Sequence, residues 1–209
     1  MEFTFAWAAV ILILVTSTGL LITHDWRWSI ILLAVQYLGV FVLTIQHWPL
    51  GMASVKLVAG WMSAAILGMT RSSFPSEEMD EGIWPRGRLF RLFADGIVLL
   101  IVWAITPAAD TIMADAGYAV TGGSLILVAM GLLHLGISSY ILRVVIGLMT
   151  VLSGFEILDS AVEGSILVAA LLATINLGLA LVGAYLLVAQ NNTQEAGTEI
   201  ECTLPPSGS

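Results

Sequence analysis

The chain has 209 residues, of which 58% are hydrophobic and only 11% charged, and its mean hydropathy is +0.97. A soluble domain carries about 25% charged residues, so this composition excludes a soluble enzyme and a disordered polar chain. The formal net charge of -8 argues against a nucleic-acid partner. The one cysteine, Cys202, lies in a polar stretch, which leaves no disulfide framework and no cysteine metal cluster.

A bilayer core takes about 20 apolar residues per helix. Hydropathy places about seven such runs, with ends good to about two to four residues: Phe3–Ile22, Trp28–Gln46, Leu50–Thr70, Leu89–Pro107, Val120–Ser138, Ile141–Ala161 and Ser165–Ala189. The expected fold is therefore all-α, a polytopic membrane helix bundle. The first run has no basic residue ahead of it and no small-residue cleavage site before His24-Asp25, so it reads as a helix and not as a signal peptide. The tryptophans Trp7, Trp26, Trp28, Trp48 and Trp84 fall near span ends, where an aromatic belt anchors to the interface.

Four units follow: a three-helix unit over 1–70, a cytoplasmic loop and linker helix over 71–119, a second three-helix unit over 120–190, and a disordered cytoplasmic tail over 191–209. Within 71–88 the chain is polar and broken by Pro75, Gly82 and Pro85, with one interfacial turn expected at Ile83-Trp84. The two three-helix units look like a parallel repeat. Leu20–Leu43 resembles His134–Leu158, and each stretch carries an arginine (Arg27 or Arg143) and then a mid-helix glycine (Gly39 or Gly154). With seven spans, Arg27, Arg71, Arg86, Arg88, Arg91 and Arg143 fall on one side, whereas His47, Asp110, Asp115, Asp159 and Glu163 fall on the other. The positive-inside rule then expects the N-terminus outside and the C-terminus in the cytoplasm.

Ionisable groups inside a membrane cost roughly 2.5–3.5 kcal/mol each on insertion scales. Glu156, Asp159 and Glu163 form one acidic stripe along the sixth helix, because spacings of three and seven keep residues on one face. Glu156 is the deepest of the three, and the other two are close enough to the span end to be solvated. Lys56 lies about six residues into the third span, where it can snorkel toward the interface or sit desolvated beside a carboxylate. Asp95 falls in the first turns of the fourth span, where a helix N-terminus favours an acid. His134, near the end of the fifth span, reads as a hydrogen-bonded packing residue or a proton relay. The three histidines are far apart, so no metal set is expected, and the chain has no phosphate loop, dinucleotide fingerprint or GxSxG nucleophile. Gly147, Gly154, Gly178 and Gly183 are placed for close helix contact.

The segment from Ser124 to Gln190 carries Leu142-Arg143-Val144-Val145-Ile146-Gly147-Leu148, then Leu152-Ser153-Gly154-Phe155-Glu156-Ile157-Leu158, then Ala173-Thr174-Ile175-Asn176-Leu177-Gly178-Leu179-Ala180-Leu181. These motifs resemble the K subunit (chain 4L) of complex I and the C subunit of Mrp-type cation/proton antiporters. The overall layout, with extra helices ahead of such a unit, is similar to component E of hydrogenase-4-type complexes. The resemblance implies a membrane subunit of a proton- or sodium-translocating complex. It also implies antiporter-like membrane partners in a prokaryotic inner or plasma membrane. The chain has no ligands for flavin, iron–sulfur or nicotinamide, so no cofactor of its own is expected. The complex I relatives place two glutamates in mid-membrane, and the matching positions here are Met149 and Thr174, neither of which can carry a proton. Glu156, one face-repeat beyond Met149 and about 10 Å further along the helix, is the candidate for a displaced relay. Two other readings stay open from the residues alone: a self-contained small transporter built from repeats, and a structural assembly subunit without an ion path.

Overall fold

A computed structural model describes the chain over residues 2–23, 25–74, 85–113, 116–162 and 165–203. The described residues form seven helices and short turns, with no strand among them: α1 (Glu2–Ile22), α2 (Trp26–Thr44), α3 (Leu50–Ser72), α4 (Pro85–Ile112), α5 (Tyr118–Ile137), α6 (Ile141–Val162) and α7 (Ile166–Thr203). All seven are long and apolar enough to cross a membrane, which makes the protein an integral membrane helix bundle.

The connections between α1 and α2, α2 and α3, α4 and α5, α5 and α6, and α6 and α7 are short, and these pairs pack against each other. Each such helix therefore folds back on the one before it. One end of the bundle gathers the start of α1 with the α2–α3, α4–α5 and α6–α7 turns. The other end holds Arg27, Arg71, Arg91 and Arg143 and is called the arginine face below.

Two helices are longer than expected. α4 begins at Pro85 and continues through Pro107 to Ile112. A proline inside a helix forfeits one backbone hydrogen bond, a loss that lipid-embedded helices tolerate. Directly before it, the Thr106 hydroxyl donates to Val102 O at 2.7 Å. α7 runs on to Thr203, past the Ala189 end expected for the last span. Between Gln190 and Thr203 the sequence is polar but holds no proline, and Pro205-Pro206 supplies the first strong helix breaker. Glu163 and the turn expected at Ile83-Trp84 lie outside the described residues.

α6 is the central helix. Its most apolar window is 61% buried, against 17% for the windows of α4 and α7. Apolar surface gives little drive for helix association in lipid, so close backbone approach at small residues has to supply it. At Gly154 an added Cβ would lie 2.8 Å from Ser124 O and 2.6 Å from Val128 Cγ2, so α5 and α6 touch backbone to backbone. Gly147 meets Leu135 and Gly131 O in the same way, and Gly183 of α7 meets Val145 of α6. Gly178 departs from the expectation, with nothing near it for a Cβ to touch. The α1–α2 pair repeats the arrangement: a Cβ on Gly39 would lie 2.7 Å from Ile13 Cγ1 and 3.4 Å from Ala9 O. Each helix of the first unit also packs on its counterpart in the second, α1 on α5, α2 on α6 and α3 on α7.

Candidate functional site

Small residues clear the space in which the polar groups meet. The buried stripe of α3 is Ala53, Lys56, Ala59, Gly60, Ser63, Ala64 and Leu67, spaced by three and four. Gly60 takes the ring of Tyr37 against its backbone. The stripe of α6 is Ile146, Met149, Ser153, Glu156 and Ser160. Lys56 is six residues from the start of α3, and Glu156 is six residues from the end of α6. At 1.5 Å per residue both lie about 9 Å inside the same end of the bundle.

They meet there across 100 residues of sequence. Lys56 Nζ donates to the backbone carbonyl oxygen of Glu156 at 3.1 Å and lies 4.6 Å from the centroid of the Trp48 ring. Lys56 is 4% exposed, so it turns into the bundle instead of snorkelling. Trp48 is 6% exposed and covers the ammonium, where the sequence suggests an interface anchor. The Glu156 side chain is 1% exposed, and its Oε2 is buried without a hydrogen-bond partner. The charges that act on it are those of Lys56 and Asp159. Asp159, one turn nearer the end of α6, is half-buried and completes the acidic side of the site.

Toward mid-membrane the site continues in neutral polar groups. Tyr37 Oη donates to Asn176 Oδ1 at 3.0 Å and accepts from Asn176 Nδ2 at 2.8 Å, tying α2 to α7. The Ser153 hydroxyl lies within hydrogen-bonding reach of the Tyr37 phenol, and Glu156 is close enough to act on it electrostatically. Gln36, beside Tyr37, is 1% exposed, and neither its Oε1 nor its Nε2 has a partner. A cleft of about 120 Å³ between the first turns of α3 and α7 reaches Lys56; Trp48, Met52, Ala169, Ala170 and Ala173 are among its walls.

A second polar group lies toward the arginine face. Asp95 accepts a hydrogen bond from the Thr18 hydroxyl of α1 at 3.0 Å, while its Oδ1 is buried and unbonded. Ten residues into α4, Asp95 is far past the first turn, so the helix N-terminus is not what holds it. The charges of Arg143 and Arg91 act on the buried His134, and Arg143 Nη2 donates to Thr23 O at 3.3 Å. Of the two positions where the resemblance leads one to expect a glutamate, Met149 is fully buried in the core cluster with Leu33 and Tyr37. Thr174 faces outward and bonds Ala170 O on its own helix.

The structure thus joins Glu156, Lys56 and Asp159 and leaves Asp95 and His134 at the other end. The sequence reading passed over Gln36, Tyr37, Ser153 and Asn176 as working groups. Their trace was there: uncharged polar residues deep in otherwise apolar runs. Neither a protein-family model, nor a curated protein, nor a solved structure matches the chain.

Proposed function

We propose that this chain is a membrane subunit of a proton- or sodium-translocating assembly of the complex I, hydrogenase-4 or Mrp antiporter class. It sits in a prokaryotic inner or plasma membrane beside larger antiporter-like subunits, with its N-terminus outside and its C-terminus in the cytoplasm. The observation that carries the reading is the buried meeting of Lys56 and Glu156, with Glu156 Oε2 left unbonded. A charged pair inside an apolar bundle is expensive, and a carboxylate with an unused acceptor can bind and release an ion. Tying down Lys56 needs only a carbonyl, so packing alone does not account for the acid. The sequence motifs around Arg143–Leu148 and Ser153–Leu158 support the same class. Energy for transport comes from redox or ion-gradient chemistry in the neighbouring subunits.

The first test is purification of the chain from native membranes, with mass spectrometry of what accompanies it. Large antiporter-like subunits are expected, and isolation as a lone monomer would overturn the reading. In the assembled complex, Glu156→Gln is expected to lower ion translocation at least tenfold with assembly intact. Tags on the two chain ends should report opposite sides of the membrane.

A further inference from the structure

The two polar groups are not separate islands. Asp95 bonds Thr18, and the next residue of α1 is Ser17, 3% exposed, with its Oγ buried and unbonded. In the antiparallel α1–α2 pair, Gly19 faces Leu32 and Gly39 faces Ile13, a register that sets Ser17 within one helical turn of Gln36. Gln36 carries two more unbonded buried atoms. It is followed by Tyr37, with Ser153 in reach, and Ser153 stands three residues before Glu156 on the same stripe of α6. Glu156 Oε2 is the next unbonded atom, and Lys56, on the wall of the cleft, ends the series.

The heights agree. Thr18 is about 6 Å from the α1 end at the arginine face, Gln36 about 15 Å along α2 from that face, and Glu156 about 9 Å from the opposite end. These steps cover the middle of the bundle, about 15 Å of an apolar thickness of about 30 Å, and the cleft that reaches Lys56 opens the end near Glu156. Each buried polar atom left unbonded costs about 1–3 kcal/mol, and bridging water removes that cost. The unbonded atoms of Asp95, Ser17, Gln36 and Glu156 follow one another across α4, α1, α2 and α6, and those of His134 and Trp48 lie outside that order.

We propose that this chain alone houses the membrane-interior stretch of a proton file: Asp95, Thr18, Ser17, Gln36, Tyr37, Ser153, Glu156 and Lys56, linked by internal water. The inference deepens the ion-translocation reading and rests on it. It adds that the ion is the proton and that no neighbouring subunit need line that stretch. The carboxylates of Asp95 and Glu156 hold the proton at the two ends. The Gln36 amide, acceptor on one side and donor on the other, orients the bridging waters without being protonated. Every hop between oxygen atoms breaks one O–H bond and forms the next, while Lys56 stays an ammonium, donates to Glu156 O and accepts no proton, so no further charge accumulates on the chain.

The test uses the purified complex, or the full chain with whatever co-purifies, reconstituted in liposomes that enclose a pH-sensitive dye. Gln36→Leu replaces two unbonded buried atoms with an apolar group one carbon shorter. It is expected to hold or raise the melting temperature while cutting proton flux at least tenfold; Gln36→Glu should retain flux. In parallel, pulsed radiolytic labelling read by mass spectrometry probes water at Tyr37, a member of the file, and at Met149, one turn from Ser153; both are reactive and almost without solvent exposure. Rapid labelling of both in the unaltered protein, reduced severalfold by Gln36→Leu, is the expected result. If Glu156→Gln abolishes flux while Gln36→Leu leaves it unchanged and Tyr37 and Met149 stay unlabelled, the translocation reading survives and the file is overturned. If labelling is rapid but Glu156→Gln leaves flux unchanged, both are overturned.

Discussion

The α1–α2 hairpin and the α5–α6 hairpin are built on one plan. Gly39 meets Ala9 O and Ile13, and Gly154 meets Ser124 O and Val128. The offsets agree at every point: 154 − 39, 124 − 9 and 128 − 13 all equal 115. The glycine contacts are thus duplicated, whereas the charges are not. The first unit contributes the cation, Lys56 on α3, and the second the anion, Glu156 on α6. At the same offset, Lys56 corresponds to Leu171 and Gln36 to Val151. Two units built alike therefore supply opposite charges, which meet only where α3 approaches α6.

The strongest way to break this division of labour is to remove one half. Lys56→Met leaves Glu156 buried without its cation, and loss of one partner of a buried pair costs about 3–5 kcal/mol. The melting temperature in detergent should fall sharply, and Lys56→Met combined with Glu156→Gln should recover much of the loss. Purely additive losses would deny the coupling. A smaller effect separates the two hairpins themselves. Overpacking costs about 1–3 kcal/mol, and Gly154→Ala should bear it because its Cβ meets backbone, a fixed obstacle. Gly39→Ala meets mainly the Ile13 side chain, which can turn away, so its loss should be the lesser one in the same melting assay. Next, Tyr37→Phe removes the hydroxyl shared with Asn176; membrane hydrogen bonds average about 0.6 kcal/mol, with more expected here because Asn176 is left buried. Thr18→Val, which strips from the buried Asp95 the bond it accepts, should give a change of comparable size.

The seven helices were legible because the hydrocarbon slab imposes length and apolarity on each span, and both are properties of sequence. Helix ends were less so. Pro107 reads as a terminus by propensity but lies inside α4, and the polar end of α7 has no internal breaker before Pro205. Glu156 and Lys56 stood out because charge in lipid is costly, yet their meeting depends on helix adjacency, which no single-chain periodicity encodes. The neutral members, Gln36 and Asn176, cost less to insert and so drew no notice, although burial makes them part of the same set. Trp48 was misread for a related reason. Its position at a span end suits an anchor, and only the turn between α2 and α3 swings it inward over the ammonium.

Lys56 is moored to main chain, not to a side chain. A carbonyl oxygen survives every substitution at position 156, so the tether that holds the ammonium is indifferent to which residue stands there. The acid can be exchanged while the base keeps its berth, and any functional loss that follows reports on the carboxyl group itself rather than on a collapsed neighbour.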